Sequence, residues 1–194
     1  MKALRSLSLL ATLALALPAL AAPNEAVTKP VKTVVQSVRY NKDDLALKQL
    51  ANEEQGRFLL GEDWDKGTDA QRKEFTKLFH SLFSKMAFPK VRENFKNLAS
   101  ITYEDPAVEG DKAKVKSTIV INHPMKKQEM KLHYSLTKEK ADWKVVDVAV
   151  LGDSMLTGIR DDQVRPILKQ GGWDHLLDLM RKKEAELVAL EKKK

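Results

Sequence analysis

Apolar residues along this chain first recur with a helical period, then alternate, then return to the helical period. Pro30 suits a first helical turn, and Val31, Val34, Val35 and Val38 follow at i, i+3, i+4 and i+7, one face of a helix. Asn52-Glu53-Glu54-Gln55 reads as a capping box opening a short helix that runs to Leu59 and stops at Gly61. Thr68-Asp69-Ala70-Gln71 is a cleaner box. It precedes the strongest stripe in the chain, Phe75, Leu78, Phe79, Leu82, Phe83 and Met86. Pro89 is expected to interrupt that helix, because it lacks the N–H an interior turn needs. Val91, Phe95 and Leu98 then suggest one more short helix.

The period changes at residue 101. Ile101 to Tyr103 predicts a first strand, and Glu109-Gly110-Asp111 a turn. In Lys112–Asn122, Val115, Ser117, Ile119 and Ile121 alternate with Lys114, Lys116, Thr118 and Val120. His123-Pro124 turns the chain, and Met130, Leu132, Tyr134 and Leu136 then alternate with Glu129, Lys131, His133 and Ser135. After a turn at 139–142, Trp143 to Leu151 reads as a last strand that is apolar on both faces. Tight turns between alternating runs predict an antiparallel meander, polar on one side. Val164 to Gln170 is a short helix stopped by Gly171-Gly172, and a final helix from Trp173 to about Leu190 carries Leu176, Leu177, Met180, Leu187 and Leu190. Helices, then strands, then helices give an α+β class, with helices packed on the apolar face of the meander.

The N-terminus reads differently. Lys2 and Arg5 precede the mostly apolar stretch 7–20, and Ala19-Leu20-Ala21 supplies small residues for cleavage. This pattern is that of a secretory signal peptide over residues 1–21, leaving 22–194 as a single domain outside the cytoplasm. The stretch is shorter than the roughly 20 apolar residues of a spanning helix. The whole chain carries +7; the leader holds two basic and no acidic residues, so residues 22–194 carry +5. With no cysteine in 194 residues, disulfides, thiol catalysis and Cys-based metal sites are excluded.

Little in the sequence is catalytic. P-loop, G-x-G-x-x-G, G-x-S-x-G and H-E-x-x-H motifs are absent, and no two of His80, His123, His133 and His175 have a metal-ligand spacing. Each histidine is expected at the surface. Asp147 interrupts an apolar strand, and a buried carboxylate needs a partner, with Arg160 a candidate. Asp147 is then either a general base in a pocket or a structural group that orients the following loop, the structural role being favoured. Lys112, Lys114 and Lys116 share one strand face with Lys126, Lys127 and Lys131 nearby. Such a face either meets anionic lipid or an acidic partner, or simply keeps a sheet soluble. Few aromatics interleave with these charges, so no nucleic-acid partner is expected.

Three segments carry a resemblance. Leu60-Gly61-Glu62-Asp63-Trp64, Thr68 and Gln71-Arg72-Lys73-Glu74-Phe75 resemble an L-G-x-x-W…T-x-x-Q-R-x-x-F signature. Trp143 to Val148 with Gly152-Asp153-Ser154 resembles W-x-V-x-D-V…G-x-S, and Arg160, Gln163, Ile167 and Gly171-Gly172 resemble the stretch that follows it. Together these resemble the MlaC family, periplasmic phospholipid-binding components of a lipid-transport ABC system, also known as toluene-tolerance auxiliary proteins. The chain departs from the family pattern by one extra residue between Arg160 and Gln163.

The resemblance implies an NTF2-like fold of about four antiparallel strands and several helices around an apolar pocket. It implies no catalysis and no cofactor, the bound phospholipid being cargo. It implies partners at both membranes, an inner-membrane ABC transporter with an MCE-domain subunit and an outer-membrane lipoprotein complex, and a role in outer-membrane lipid asymmetry. A monomer is expected. On this reading the pocket walls are Phe79, Phe83, Ile119, Ile121, Leu132, Tyr134, Val148, Val150, Met155, Ile159, Leu176 and Met180. The rival readings are a secreted enzyme using Asp147 and an envelope adaptor with a solid core.

Overall fold

The computed structural model describes residues 23–122 and 126–193, so the leader expected over 1–21 and the turn expected at His123-Pro124 lie outside the described residues. Five helices come first: α1 (Pro23–Arg39), α2 (Asp43–Leu47), α3 (Glu53–Leu60), α4 (Asp63–Lys66) and α5 (Asp69–Phe95). The strands β1 (Leu98–Tyr103), β2 (Ala107–Glu109), β3 (Lys112–Asn122), β4 (Lys127–Glu139), β5 (Asp142–Val150) and β6 (Asp153–Ser154) follow. Then come α6 (Met155–Ile159), a π-turn (Arg160–Val164) and α7 (Arg165–Glu191). The α+β expectation holds: one open antiparallel sheet in the order β1-β3-β4-β5-β6, with β2 also on β3, carries helices against its apolar face.

Two prolines behave differently from the expectation. Pro30 lies inside α1, not at its start, and Pro89 lies inside α5, which runs unbroken to Phe95. In both cases burial on either side of the proline outweighs the one lost backbone bond. Val27 and Val31 flank Pro30 in one core cluster, while Phe88 and Phe95 are buried around the solvent-facing Pro89. No separate helix forms at Val91–Leu98; Leu98 opens β1 instead.

The two predicted capping boxes part ways. At α5, Thr68 Oγ1 accepts from Gln71 N–H at 3.2 Å and Thr68 N–H donates to Gln71 Oε1 at 2.9 Å, a complete box. At α3, Asn52 makes no side-chain cap; Glu139, at the end of β4, accepts from the Asn52 and Glu53 N–H groups at 2.9 and 3.2 Å. Gln55, read as part of that box, is buried and donates to the Val146 carbonyl at 2.7 Å.

β5 is not apolar on two faces. Its register slips against β4 between Ser135 and Leu136, so that Val145 faces Leu136, Asp147 faces Ser135, and Val146 is the extra residue of a bulge. The bulge buries Val145 and Val146 together, while Val148 and Val150 pair with the inward Tyr134 and Leu132. The free edge of β5 is covered by residues 49–51, through Ala51 N–H to Val145 O and Val145 N–H to Gln49 O, both 2.8 Å, and by β6. Gly171-Gly172 breaks α7 as expected, with Gly172 at φ 67°, a conformation that favours glycine.

Candidate functional site

Below Phe75 the helices part and leave a groove. Its volume is about 590 Å³, within the usual range of ligand sites. α5 supplies Phe75, Phe79, Phe83, Met86 and Val91; α6 supplies Met155 and Ile159; the π-turn supplies Gln163 and Val164; α7 supplies Ile167, Leu176, Leu179 and Met180. The polar lining residues are Lys90, Asn94, Gln163 and Lys183, with no carboxylate among them. A second, almost wholly apolar cavity of about 130 Å³ lies between α5, α1 and the sheet, walled by Val34, Val35, Val38, Phe88, Leu132, Tyr134, Val148 and Val150. Phe83, Ala87, Val91 and Met155 line both spaces.

Of the expected wall residues, Phe79, Ile159, Leu176 and Met180 lie on the groove. Leu132, Tyr134, Val148 and Val150 lie on the inner cavity, and Phe83 and Met155 on both. Ile119 and Ile121 line neither. They occupy the same sheet face but pack in the cluster that Val27 and Val31 of α1 join, where the core is filled. Lys90, Val91 and Asn94 are not among the expected walls because an interruption at Pro89 removes them from the helix, and Ala87 is not because it is small; the i, i+4 series Phe83–Ala87–Val91 and Met86–Lys90–Asn94 are the signals that find them.

The groove is held open by neighbouring structure that is closed. Trp64, Phe75 and Trp173 form an aromatic cluster with centroids 6.0 to 6.3 Å apart, and Trp173 Nε1 donates to Asp63 O at 2.8 Å. The Trp64 ring sits directly on Gly56, where a Cβ would lie 2.1 Å from it. Gln71 Nε2 donates to Asp174 at 3.0 Å, tying the start of α5 to α7. Arg72 donates to the Gly67 carbonyl at 2.8 Å and lies over the Trp64 ring.

Asp147 has a structural task, and its partner is not Arg160. Ser154 Oγ donates to one of its oxygens at 2.5 Å, and Leu156 N–H donates to the other at 3.1 Å. Ser154 in turn caps α6 by accepting from Thr157 N–H at 3.0 Å. Arg160 instead pairs with Asp161 at 2.9 Å and stacks on Phe58 at 4.8 Å. The π-turn that begins at Arg160 coincides with the extra residue noted in the sequence, and it aims Gln163 and Val164 at the groove.

His80 is half-buried, not exposed. Its Nε2 lies 2.9 Å from Gln55 Oε1, and burial pushes its pKa down to about 4, against a smaller upward pull from a hydrogen bond with the Ala51 backbone. Tyr134 is buried, with its hydroxyl 3.2 Å from Ser117 Oγ, and burial raises its pKa. On the opposite sheet face, Lys112, Lys114 and Lys116 stand across from Thr137, Ser135 and His133, with Lys131 beside them opposite Thr118. Lys112 and Lys116 reach only long contacts, 4.0 Å, to Glu54 and Glu104. Among the described residues no cluster of His, Asp or Glu suits a metal ion, and no helix is long and apolar enough to cross a membrane.

These features define a class: an α+β protein with a largely apolar groove, free of carboxylates, between helices that flank an antiparallel sheet. Residues 29–182 match the family model described as MlaC protein, and the chain belongs to the MlaC family. Among solved structures, a phospholipid-binding protein from Ralstonia solanacearum, determined in complex with a phospholipid, aligns with a TM-score of 0.68 at 19% identity, covering 87% of this chain and 99% of that one. A chain with NTF2 in its name aligns at 0.39, with 12% identity over 66% of this chain and 97% of that one. A SEC-C motif containing protein from Rhodopseudomonas palustris aligns at 0.35, with 6% identity over 65% and 89%. These last two are too distant to bear on the argument. No curated protein matches the sequence.

Proposed function

We propose that this protein carries phospholipid across the periplasm, enclosing acyl tails in the groove and leaving the head group at its rim. The observation that carries this reading is a 590 Å³ apolar groove without a carboxylate, in a member of the MlaC family. About 30 tail methylenes at roughly 0.8 kcal/mol each cost some 20 kcal/mol or more to expose to water. A carrier therefore needs greasy walls and little head-group chemistry. The neighbour from Ralstonia solanacearum, solved with phospholipid bound, supports the same cargo.

On this proposal residues 1–21 are a cleaved signal peptide and residues 22–194 one lipid-binding unit. Lipid passes between an inner-membrane ABC transporter with an MCE-domain subunit and an outer-membrane lipoprotein complex. The chain has no nucleotide-binding motif, so the partner supplies any directional energy. Asp147 is occupied by Ser154 and the Leu156 N–H, which supports a binding role over general-base catalysis.

The test is mass spectrometry of an organic extract of purified residues 22–194. Stoichiometric phospholipid is expected in the wild type. Ile159→Asp, which puts a charge on the groove wall, should lose it while keeping its circular dichroism spectrum. A lipid-free wild type, or full lipid content in the Ile159→Asp variant, refutes the proposal. Ile121, away from both spaces, is a control position.

A further inference from the structure

The groove and the inner cavity are separated by one layer of side chains. Phe83, Ala87 and Val91, at i, i+4 and i+8 on α5, line both, and Met155 of α6 completes the layer. Ala87 is the smallest of the four, so the layer is thinnest there. The inner space, about 130 Å³, is close to the roughly 150 Å³ at which an apolar protein cavity stays dry and accepts a small hydrocarbon. An apolar void costs stability in proportion to its volume, and a hydrocarbon occupant removes that cost.

The polar side chains around the inner cavity are already engaged. Gln55 holds the Val146 carbonyl and His80, Tyr134 meets Ser117, and Asp147 meets Ser154 and the Leu156 N–H. A head group entering here would find no free partner. An alkyl chain needs none.

We propose that the inner cavity is a subsite for the end of an acyl chain, whose terminal carbons pass from the groove over Ala87, between Phe83 and Met155, and finish against Val148 and Val150. The inference rests on the groove being a lipid site, and it adds that the protein reads tail length. At roughly the 30 Å³ of a liquid water per carbon, the subsite takes about four carbons. A short tail ends in the groove and leaves the subsite empty; a longer tail fills it.

The test loads wild type, Ala87→Leu and Phe83→Ala from vesicles holding dimyristoyl, dipalmitoyl and distearoyl phosphatidylglycerol in equal amounts. Native mass spectrometry then reads the retained species. Ala87→Leu closes the passage and should shift the ratio of dimyristoyl to distearoyl lipid upward by about tenfold or more. Phe83→Ala widens it and should shift the ratio the other way. The two variants strain the fold differently, one by adding volume and one by removing it, so either decides alone if the other fails to fold. Bound lipid with the wild-type chain profile in a folded variant overturns the subsite and leaves the groove standing. A wild type that takes up none of the three lipids overturns both.

Discussion

The two ends of α5 contrast in packing although both are apolar. At its start, Trp64, Phe75 and Trp173 interlock, Gly56 leaves room for one indole, and Gly67 leaves room for the other. From Phe75 onward the same helix also borders open space, with Phe83, Ala87 and Val91 between two cavities. The first of the three segments that carry the family resemblance sits at the filled end: Trp64, Thr68, Gln71, Arg72 and Phe75 make a cap, a clamp to α7 and the aromatic cluster. That segment marks the rigid support, whereas Val146, Asp147 and Val148 of the second segment and Gln163 and Ile167 of the third stand on the hollow itself. Packing in the first region depends on shape, and in the second on the absence of polar groups.

The contrast breaks first at the filled end. Trp64→Ala should cost about 3–5 kcal/mol, as large aromatic truncations in a close-packed core do, read as a fall in Tm. Leu177→Ala, buried at the same end, should cost about 2–5 kcal/mol. Acid should act further along α5. His80 has a folded pKa of about 4 against an ordinary 6.5, so between these values the unfolded chain binds more protons than the folded one. Stability contributed by the neutral ring is complete above pH 6.5 and is lost as the pH falls toward 4, by about 3 kcal/mol at most. Urea titrations across this window should show the slope, and His80→Gln should flatten it.

Much of the fold was legible because alternation and helical periodicity report which face is buried. β3 has the predicted bounds, and the Gly171-Gly172 break and the Thr68 box are where the pattern put them. The failures share a cause, namely that local signals were overruled by distant partners. Pro30 and Pro89 look like helix boundaries until the burial on both sides is known. Asn52 looks like a cap until Glu139, far along the chain, takes the two N–H groups. The β5 bulge looks like two apolar faces because a one-residue slip is invisible in composition. The site was legible only by residue type: the same sheet face holds Ile119 in filled core and Leu132 on a cavity. Alternation states that both point inward and says nothing of what fills the space in front of them.

The long-range cap offers a smaller effect. Glu139→Ala removes the acceptor for both first-turn donors of α3 and should cost about 1 kcal/mol, the usual value of a helix cap. Asn52→Ala should cost less, since its side chain makes no cap bond. Equal losses in the two variants, measured by chemical denaturation, would show that Asn52 caps α3 in solution.

The smallest expected effect sharpens the contrast most. Met180 stands three residues after Leu177 on α7, but it borders the groove, while Leu177 is enclosed. Truncation at Leu177 creates a void in packed surroundings; truncation at Met180 only enlarges one that exists. Fewer dispersion contacts are lost, and water or lipid reaches the vacated volume. Met180→Ala should therefore cost less than about 1 kcal/mol in the lipid-free protein, well below its neighbour. With lipid bound the order of importance changes, because stabilisation by a ligand follows its affinity, and Met180 then contributes through the tails it touches. The comparison to make is the Tm of both variants before and after lipid extraction. Extraction should narrow the gap between wild type and Met180→Ala and leave that between wild type and Leu177→Ala unchanged. A loss at Met180 as large as that at Leu177 in the lipid-free state would mean that the helices close over the empty groove, and that its walls pack like the rest of the core.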